Sequence, residues 1–481
     1  MNIYQKRAIF RRRNESNVYR MFFWIILILA GIWLIRSVKR GEIKPLFLPT
    51  ATPTRLAISY AQEGEAKFTA GQLKDFVDSN GKLVPGAISS YLEAVKVDPN
   101  NAQVWADLAR IQTYSSAMLA GEAEIKVRLA EALASAEKAV ELAPDDSYVN
   151  AIYSFALDWN ANLALVGDER IVQDLLAKAE KAASRALLLD PSNARAQAFY
   201  AEILMDEQKW TQAQQTIELA LAADPSLMDV HRVHAAVLES LGEYALAIEA
   251  WDRAIEINPN LTFLWQRAGA NYRVLAFNSL NEEVQRQLFE KSLEYFAQAA
   301  RINDQLGIQD PAPYLSIAKT YSQMGQFFIA IRNVQKTIEF QPSRAEFYGE
   351  LGVLYHKNRN YETGILAFKC AIDGCTEEES CPARGDCGTN DVPAVVVGLP
   401  LTSLTVYYYD IYASELAALS TVKNDHCPKA LEVAAKIEAS EFDNDPNIAA
   451  DIVVVRNICP LASEAATATI EPVITTPAPR P

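Results

Sequence analysis

The sequence predicts an all-α stack of helical hairpins, and three observations predict it. Pro191, Pro225 and Pro259 stand 34 residues apart, each closing a segment of the same pattern. Counted from Met228, the small residues Ala235, Ala247 and Ala254 fall at places 8, 20 and 27, with Trp251 at place 24 and Pro259 at place 32. Small residues at those places let two antiparallel helices approach closely, a large one fills the gap to the next hairpin, and proline stops the second helix. Finally, half of the residues are hydrophobic, alanine is abundant and only 19 are glycine, which suits helix-on-helix packing.

This pattern resembles the tetratricopeptide repeat (TPR), whose period is 34 residues. The resemblance implies a right-handed superhelix, here of about eight to nine hairpins, whose first helices line a concave groove. In the family, places 2, 5, 9, 12 and 13 project into that groove. They fall on Arg195, Glu202, Asp206, Asp229, Arg232, Glu239, Gln266, Arg273, Lys319, Gln323, His356 and Lys357. Their charge is mixed, as a solvated surface would also be. The lysine/asparagine clamp that some TPR domains use for chaperone tails is not recognisable.

Taken in order, residues 1–20 form a basic segment. Residues 1–44 carry ten Lys and Arg against Glu15 and Glu42, a net of +8 within an overall −15, which leaves −23 for the remainder. So acidic a body repels phosphate backbones, and nucleic acid is not an expected partner. Met21–Ile35 is uncharged between Arg20 and Arg36. Extended to residues 21–38 it predicts a transmembrane signal-anchor, with Trp24 and Trp33 near the interfaces. A cleaved signal peptide is the rival, but basic residues follow directly and no A-x-A site lies near. More basic residues precede the segment than follow it, which places the amino terminus in the cytoplasm and the body outside. Residues 39–54 read as a Pro/Thr linker, and 461–481 as a disordered tail.

The repeat array is expected over residues 55–376. The first hairpin ends in Ala87, Tyr91, Ala94 and Pro99; the second runs from Ala102 to Pro144, 45 residues to the next start rather than 34. The third is similarly long and closes with Ala179, Ala183, Ala186 and Pro191. The fourth and fifth are regular. The sixth carries Gly269, Ser292, Phe296 and Ala299 around an extended middle. The seventh (Ala318, Gly325, Ala330, Pro342) and eighth (Gly352, Phe368, Ala371) return to the pattern. A Cys-containing loop is expected at 377–401, then a degenerate hairpin and capping helix at 402–460.

All six cysteines lie in the last quarter of the chain. Downstream of an anchor, an even number predicts disulfides. Cys427 and Cys459 flank an antiparallel helix pair at adjacent ends and are the expected bridge. Cys370, Cys375, Cys381 and Cys387 permit three connectivities and the choice stays open. Zinc is the rival reading, although no C-x₂-C pair is present. Arg384-Gly385-Asp386 spells the tripeptide that integrins read and is expected to be an ordinary surface turn.

No catalytic signature stands out, and no enzyme, cofactor or metal is expected. His231 and His234 read as partly buried core residues. His426 beside Cys427 lacks the geometry of a nucleophile and its base. Asp145 reads as a helix cap, and Tyr407, Tyr408, Tyr409 and Tyr412 as helix packing. The function expected is a membrane-anchored extracytoplasmic scaffold that binds a protein or peptide. The alternative is an enzyme or accessory subunit acting on envelope glycans through Glu377, Glu378, Asp386 or Asp410. Self-association of terminal hairpins is a third possibility.

Overall fold

The computed structural model describes residues 17–40, 55–77, 81, 83–385 and 392–459. The chain divides into two units, Met1–Leu56 and Ala57–Pro481. In the first, α1 spans Val18–Lys39, and its segment Val18–Ser37 is long and apolar enough to cross a membrane. The basic amino terminus, most of the linker and the tail expected at 461–481 lie outside the described residues.

The second unit is built of nine antiparallel hairpins among the described residues. They pair α2 (Ala57–Thr69) with α3 (Ala87–Val97), α4 (Ala102–Ser116) with α5 (Glu122–Leu142), and α6 (Ser147–Asn160) with α8 (Glu169–Leu189). A single turn, α7 (Leu163–Val166), interrupts the third. A two-residue ribbon, β1 (Phe76–Val77) against β2 (Leu83–Val84), fills the turn of the first. Next come α9 (Ala194–Asp206) with α10 (Trp210–Ala223), α11 (Met228–Ser240) with α12 (Tyr244–Ile257), and α13 (Thr262–Asn278) with α14 (Glu282–Leu306). Then follow α15 (Ala312–Gln323) with α16 (Phe327–Phe340) and α17 (Ala345–Lys357) with α18 (Tyr361–Ile372). After α19 (Glu377–Ala383), the array closes with α20 (Val406–Leu419), α21 (Cys427–Glu438) and α22 (Pro446–Ile458). The extra residues of the long repeats extend their second helices: α5 and α8 have 21 residues and α14 has 25.

Three contacts repeat along the array and explain its sequence pattern. At place 8 the first helix carries Gly64, Ala109, Ser154, Ala201, Ala235, Gly269, Ala318 and Gly352, all buried. A methyl group added at Gly269 would lie 2.9 Å from Phe296, and one at Gly352 would lie 2.7 Å from Phe368. Tyr91 covers Gly64 in the same way. The aromatic ring of the second helix therefore dictates a small residue opposite it.

At place 4 a side chain reaches back to the carbonyl of the proline that ended the previous repeat. Trp105 donates to Pro99 (3.0 Å), Asn150 to Pro144 (2.9 Å) and Gln197 to Pro191 (2.8 Å). His231 approaches Pro225 O at 2.8 Å, Trp265 donates to Pro259 (2.8 Å) and Tyr348 to Pro342 (3.0 Å). Each satisfies a carbonyl just past a helix end, where no helical donor remains. A carbonyl only accepts, so His231 carries its proton on Nε2. His231 is thus half-buried and serves the backbone.

At place 15 the backbone turns through positive φ. Glycine occupies it at Gly242 (80°) and Gly325 (73°), but Gln208 (62°) and Arg359 (60°) hold it in the fourth and eighth hairpins. A side chain there meets the steric penalty of the left-handed region.

The expectations at Asp145, at residue 377 and for the surface placement of Arg384 are corrected, while those for the Cys427–Cys459 bridge, Tyr408 and Tyr409 hold. Asp146, not Asp145, caps α6, accepting from Val149 N at 3.0 Å, while Asp145 pairs with Arg185. The loop expected from 377 begins as a helix, because Thr376 and Glu379 form a reciprocal capping box. The chain does turn at Arg384 and Gly385, but the Arg384 side chain is not at the surface. It is 3% exposed, with Nε donating to Tyr348 Oη (3.0 Å) and Nη2 to Val392 O (3.0 Å); Asp386 lies outside the described residues. Cys427 is bonded to Cys459 (Cα–Cα 5.2 Å), so its sulfur is no nucleophile for His426. Cys370 bonds Cys375 (Cα–Cα 4.7 Å), and Cys381 is also disulfide-bonded; Cys387 lies outside the described residues. Tyr408 packs on Gly349 and donates to Glu350 (3.3 Å), and Tyr409 donates to Leu399 O (2.6 Å), as helix packing requires.

Gln208→Gly and Arg359→Gly are each expected to stabilise the array by about 0.5–1 kcal/mol, the left-handed penalty relieved less the entropy added to the unfolded chain. Urea denaturation of the two variants beside wild type checks this, with Gln208→Ala as a control that should bring no gain.

Candidate functional site: the inner face of the array

The first helices of successive hairpins face one another, and the residues assigned to the groove join them. Arg195 Nε on α9 donates to Asp229 Oδ2 on α11 at 3.0 Å. Arg232 on α11 returns a two-pronged bond to Glu202 on α9, at 2.6 and 2.5 Å. Glu239 accepts from Arg267 (2.7 Å) and Asn271 (3.0 Å) on α13. Gln266 donates to Asp310 (3.2 Å), and Arg273 to the Ser316 carbonyl on α15 (3.1 Å). Lys319 pairs with Glu350 on α17 at 3.2 Å, and Lys357 donates to Ser322 at 3.3 Å. His356 meets Glu415 on α20 at 2.9 Å. Gln323 is exposed.

Glu202, Asp229 and Arg232 are 6%, 1% and 3% exposed and therefore do not face a ligand as expected. The reason is that the array closes on itself. Tyr114 on α4 donates to Asp229 Oδ1 at 2.5 Å and accepts from Arg232 Nε at 3.2 Å, joining residues more than a hundred positions apart. Its ring also stacks on Phe263 of α13, with centroids 6.1 Å apart. Phe155, Trp159 and Phe199 complete an aromatic plug, Phe155 stacking on Phe199 at 4.4 Å. Arg232 lies over the rings of Tyr114, Phe155 and Trp159. Arg110 links Glu65 (2.9 Å) to Asp229 (3.5 Å). Asn260 donates to Thr69 O (3.1 Å), a further bond across the closure.

Electrostatics separate the paired acids from the unpaired ones. Burial alone would raise Asp229, but Arg110 and Arg195 overcome it and hold the carboxyl well below the usual range. Asp158, at place 12 of α6, has no such partner. It is 4% exposed, and its Oδ1 meets no hydrogen-bond donor. Burial, then the charges of Asp206 and Glu202, push its carboxyl well above the usual range. Asp206 stands exposed at the end of α9, and desolvation and then Glu202 push it up to about 7. Both line a cavity of about 420 Å³ that also includes Leu129, Trp159 and Leu165. Asp206 was assigned to the groove from its place in the regular fourth hairpin, but Asp158 was not, because the third hairpin spans 47 residues, from Ser147 to the next start at Ala194, and hides its register.

In the C-terminal hairpins, burial raises Glu415 to about 8 and lowers His356. Both shifts arise first from burial and favour the neutral forms of two groups that stand 2.9 Å apart. Asp410 is pushed up to about 7 by burial and then by Asp451. Glu377 and Glu378 sit in the exposed first turn of α19.

With this geometry in place, residues 203–262 match the family model of the tetratricopeptide repeat, and the chain contains TPR hairpins. No curated protein matches the chain. Among solved structures it is similar to human IFIT1, a dimer with PPP-AAAA, at 14% identity over 79% of this chain and 78% of that one, with a TM-score of 0.49. It is similar to MamA at 19% identity, over 37% of this chain and 95% of that one (TM-score 0.30). YrrB, described as a TPR protein with an unusual peptide-binding site, is 22% identical over 43% of this chain and 92% of its own, also with a TM-score of 0.30.

Removing one member of the buried network leaves its partners charged and unpaired. Asp229→Ala is expected to lower stability by about 3–5 kcal/mol, whereas Lys319→Ala, at a half-exposed pair, changes it by no more than about 1 kcal/mol. Urea unfolding of both variants tests the contrast, and equal effects would refute it. For Glu415 the folded pKa is raised, so stability is fully present below about pH 4.5 and is lost as pH rises toward 8. Glu415→Gln should flatten that decline, read as the change in urea midpoint between pH 5 and pH 8 for variant and wild type.

Proposed function

We propose that this chain is a membrane-anchored scaffold whose hairpin array lies outside the cytoplasm and gathers partner polypeptides. The observation that carries the reading is the array itself: nine hairpins that present many surfaces, and no catalytic constellation among the described residues. The apolar helix Val18–Ser37 supports anchoring by its length and composition. The disulfides Cys370–Cys375 and Cys427–Cys459 support an oxidising compartment. A body of charge −23 favours a polypeptide partner over RNA or DNA. The YrrB description supports peptide capture as one use of such hairpins.

We infer equally that the chain is not an enzyme. The carboxylates assigned to glycan chemistry are dispersed: Glu377 and Glu378 begin an exposed helix, while Asp410 is buried beside Asp451.

The test is thiol labelling in intact cells with a membrane-impermeant reagent. Labelling that appears only after external reductant is the expected outcome. Free thiols that stay protected until lysis would reverse the topology.

A further inference from the structure

The cavity beside Asp158 brings together acidic groups that form no ion pair with a basic side chain among the described residues. Glu202 is saturated by Arg232, but Asp158 and Asp206 have no ion pair among the described residues. Asp158 Oδ1 is buried without a donor, which is a cost the fold carries unless something completes it.

The backbone adds an independent pull on positive charge. The cavity gathers the carboxyl ends of three first helices: Ser116 and Ala117 at the end of α4, Trp159 and Ala161 at the end of α6, and Asp206 at the end of α9. Each such end carries roughly half a negative charge, and a cation is favoured there. The walls are apolar where Leu129, Leu165 and Trp159 stand. An alkyl stem would pack on them while its charged head reached the carboxylates. A bare metal ion fits less well, since no group of three or more acidic, His or Cys ligands is assembled among the described residues.

We propose that this cavity binds the side chain of an arginine or lysine presented by a partner polypeptide, with Asp158 and Asp206 as its counter-ions. The inference rests on the scaffold reading and narrows the partner to one that displays a basic residue on an accessible segment. The bound cation would satisfy Asp158 Oδ1 and hold both carboxyls ionised, so binding should tighten as pH rises from 5 to 8.

The test is calorimetric titration of the full-length chain in detergent micelles. The probe is acetyl-Gly-Leu-Arg-Leu-Gly-amide, compared with its citrulline counterpart, which keeps the shape and removes the charge. The arginine peptide is expected to bind at least tenfold more tightly than the citrulline peptide. The Asp158→Asn, Asp206→Asn double variant should lose at least tenfold in affinity with no fall in its thermal midpoint. Equal binding of both peptides, or full binding by the double variant, would overturn the proposal. So would calcium or magnesium that binds the cavity and excludes the peptide. Partner crosslinks in cells that persist in the double variant, with no peptide binding, sink this inference and leave the scaffold reading standing. A wild type that crosslinks to nothing yet binds the arginine peptide does the reverse.

Discussion

The close approach of two helices at place 8 is the constraint on which the rest of the array depends. Where Phe296 lies on Gly269, or Phe368 on Gly352, no room remains for even a methyl group. That contact fixes the separation of the two helices and so the direction in which the next hairpin begins. The bond from place 4 to the preceding proline carbonyl then sets the step between hairpins. Its donors are chemically unlike one another, Trp, Asn, Gln, His and Tyr, because only the reach of one N–H or O–H matters.

On the inner face the same regularity brings charged side chains of neighbouring first helices together. Two kinds of pair result. Rim pairs such as Lys319–Glu350 are half-exposed and contribute little. Arg232–Glu202 and the Asp229 cluster are buried, and their worth lies in how costly a missing member would be. Asp158 departs from this rule, being an acid brought inside without its base. Sites that break a local rule in an otherwise consistent structure are where function is to be sought.

The hairpin architecture was legible because proline spacing and small residues report a geometry that one repeat can show alone. The inserted lengths were visible too, although only the structure shows that they extend α5, α8 and α14. The groove was misread for a physical reason. Places 2, 5 and 9 do face inward, but Tyr114 reaches Asp229 and Arg232, and stacks on Phe263, from a hairpin far away in sequence. No spacing encodes such a meeting. Arg384 was misread likewise, since Tyr348 and Val392, which enclose it, come from other segments. Cys427 and Cys459 lay within reach of sequence reasoning, as they flank neighbouring helices.

Repeat arrays ordinarily behave as chains of nearest neighbours, so that a terminal unit can be removed without much effect on distant ones. The Tyr114–Asp229 bond takes the first six hairpins out of that regime. One continuous apolar cluster runs from Ala61 to Ala268, and another from Ala318 to Cys459. The first block has its ends tied together and must gather contacts of high sequence separation before any are secured. It will therefore fold and unfold as a single cooperative body, slower to assemble than a linear array of equal length. Evolution could lengthen this chain at its carboxyl end by adding hairpins, but hardly by inserting one between α4 and α11.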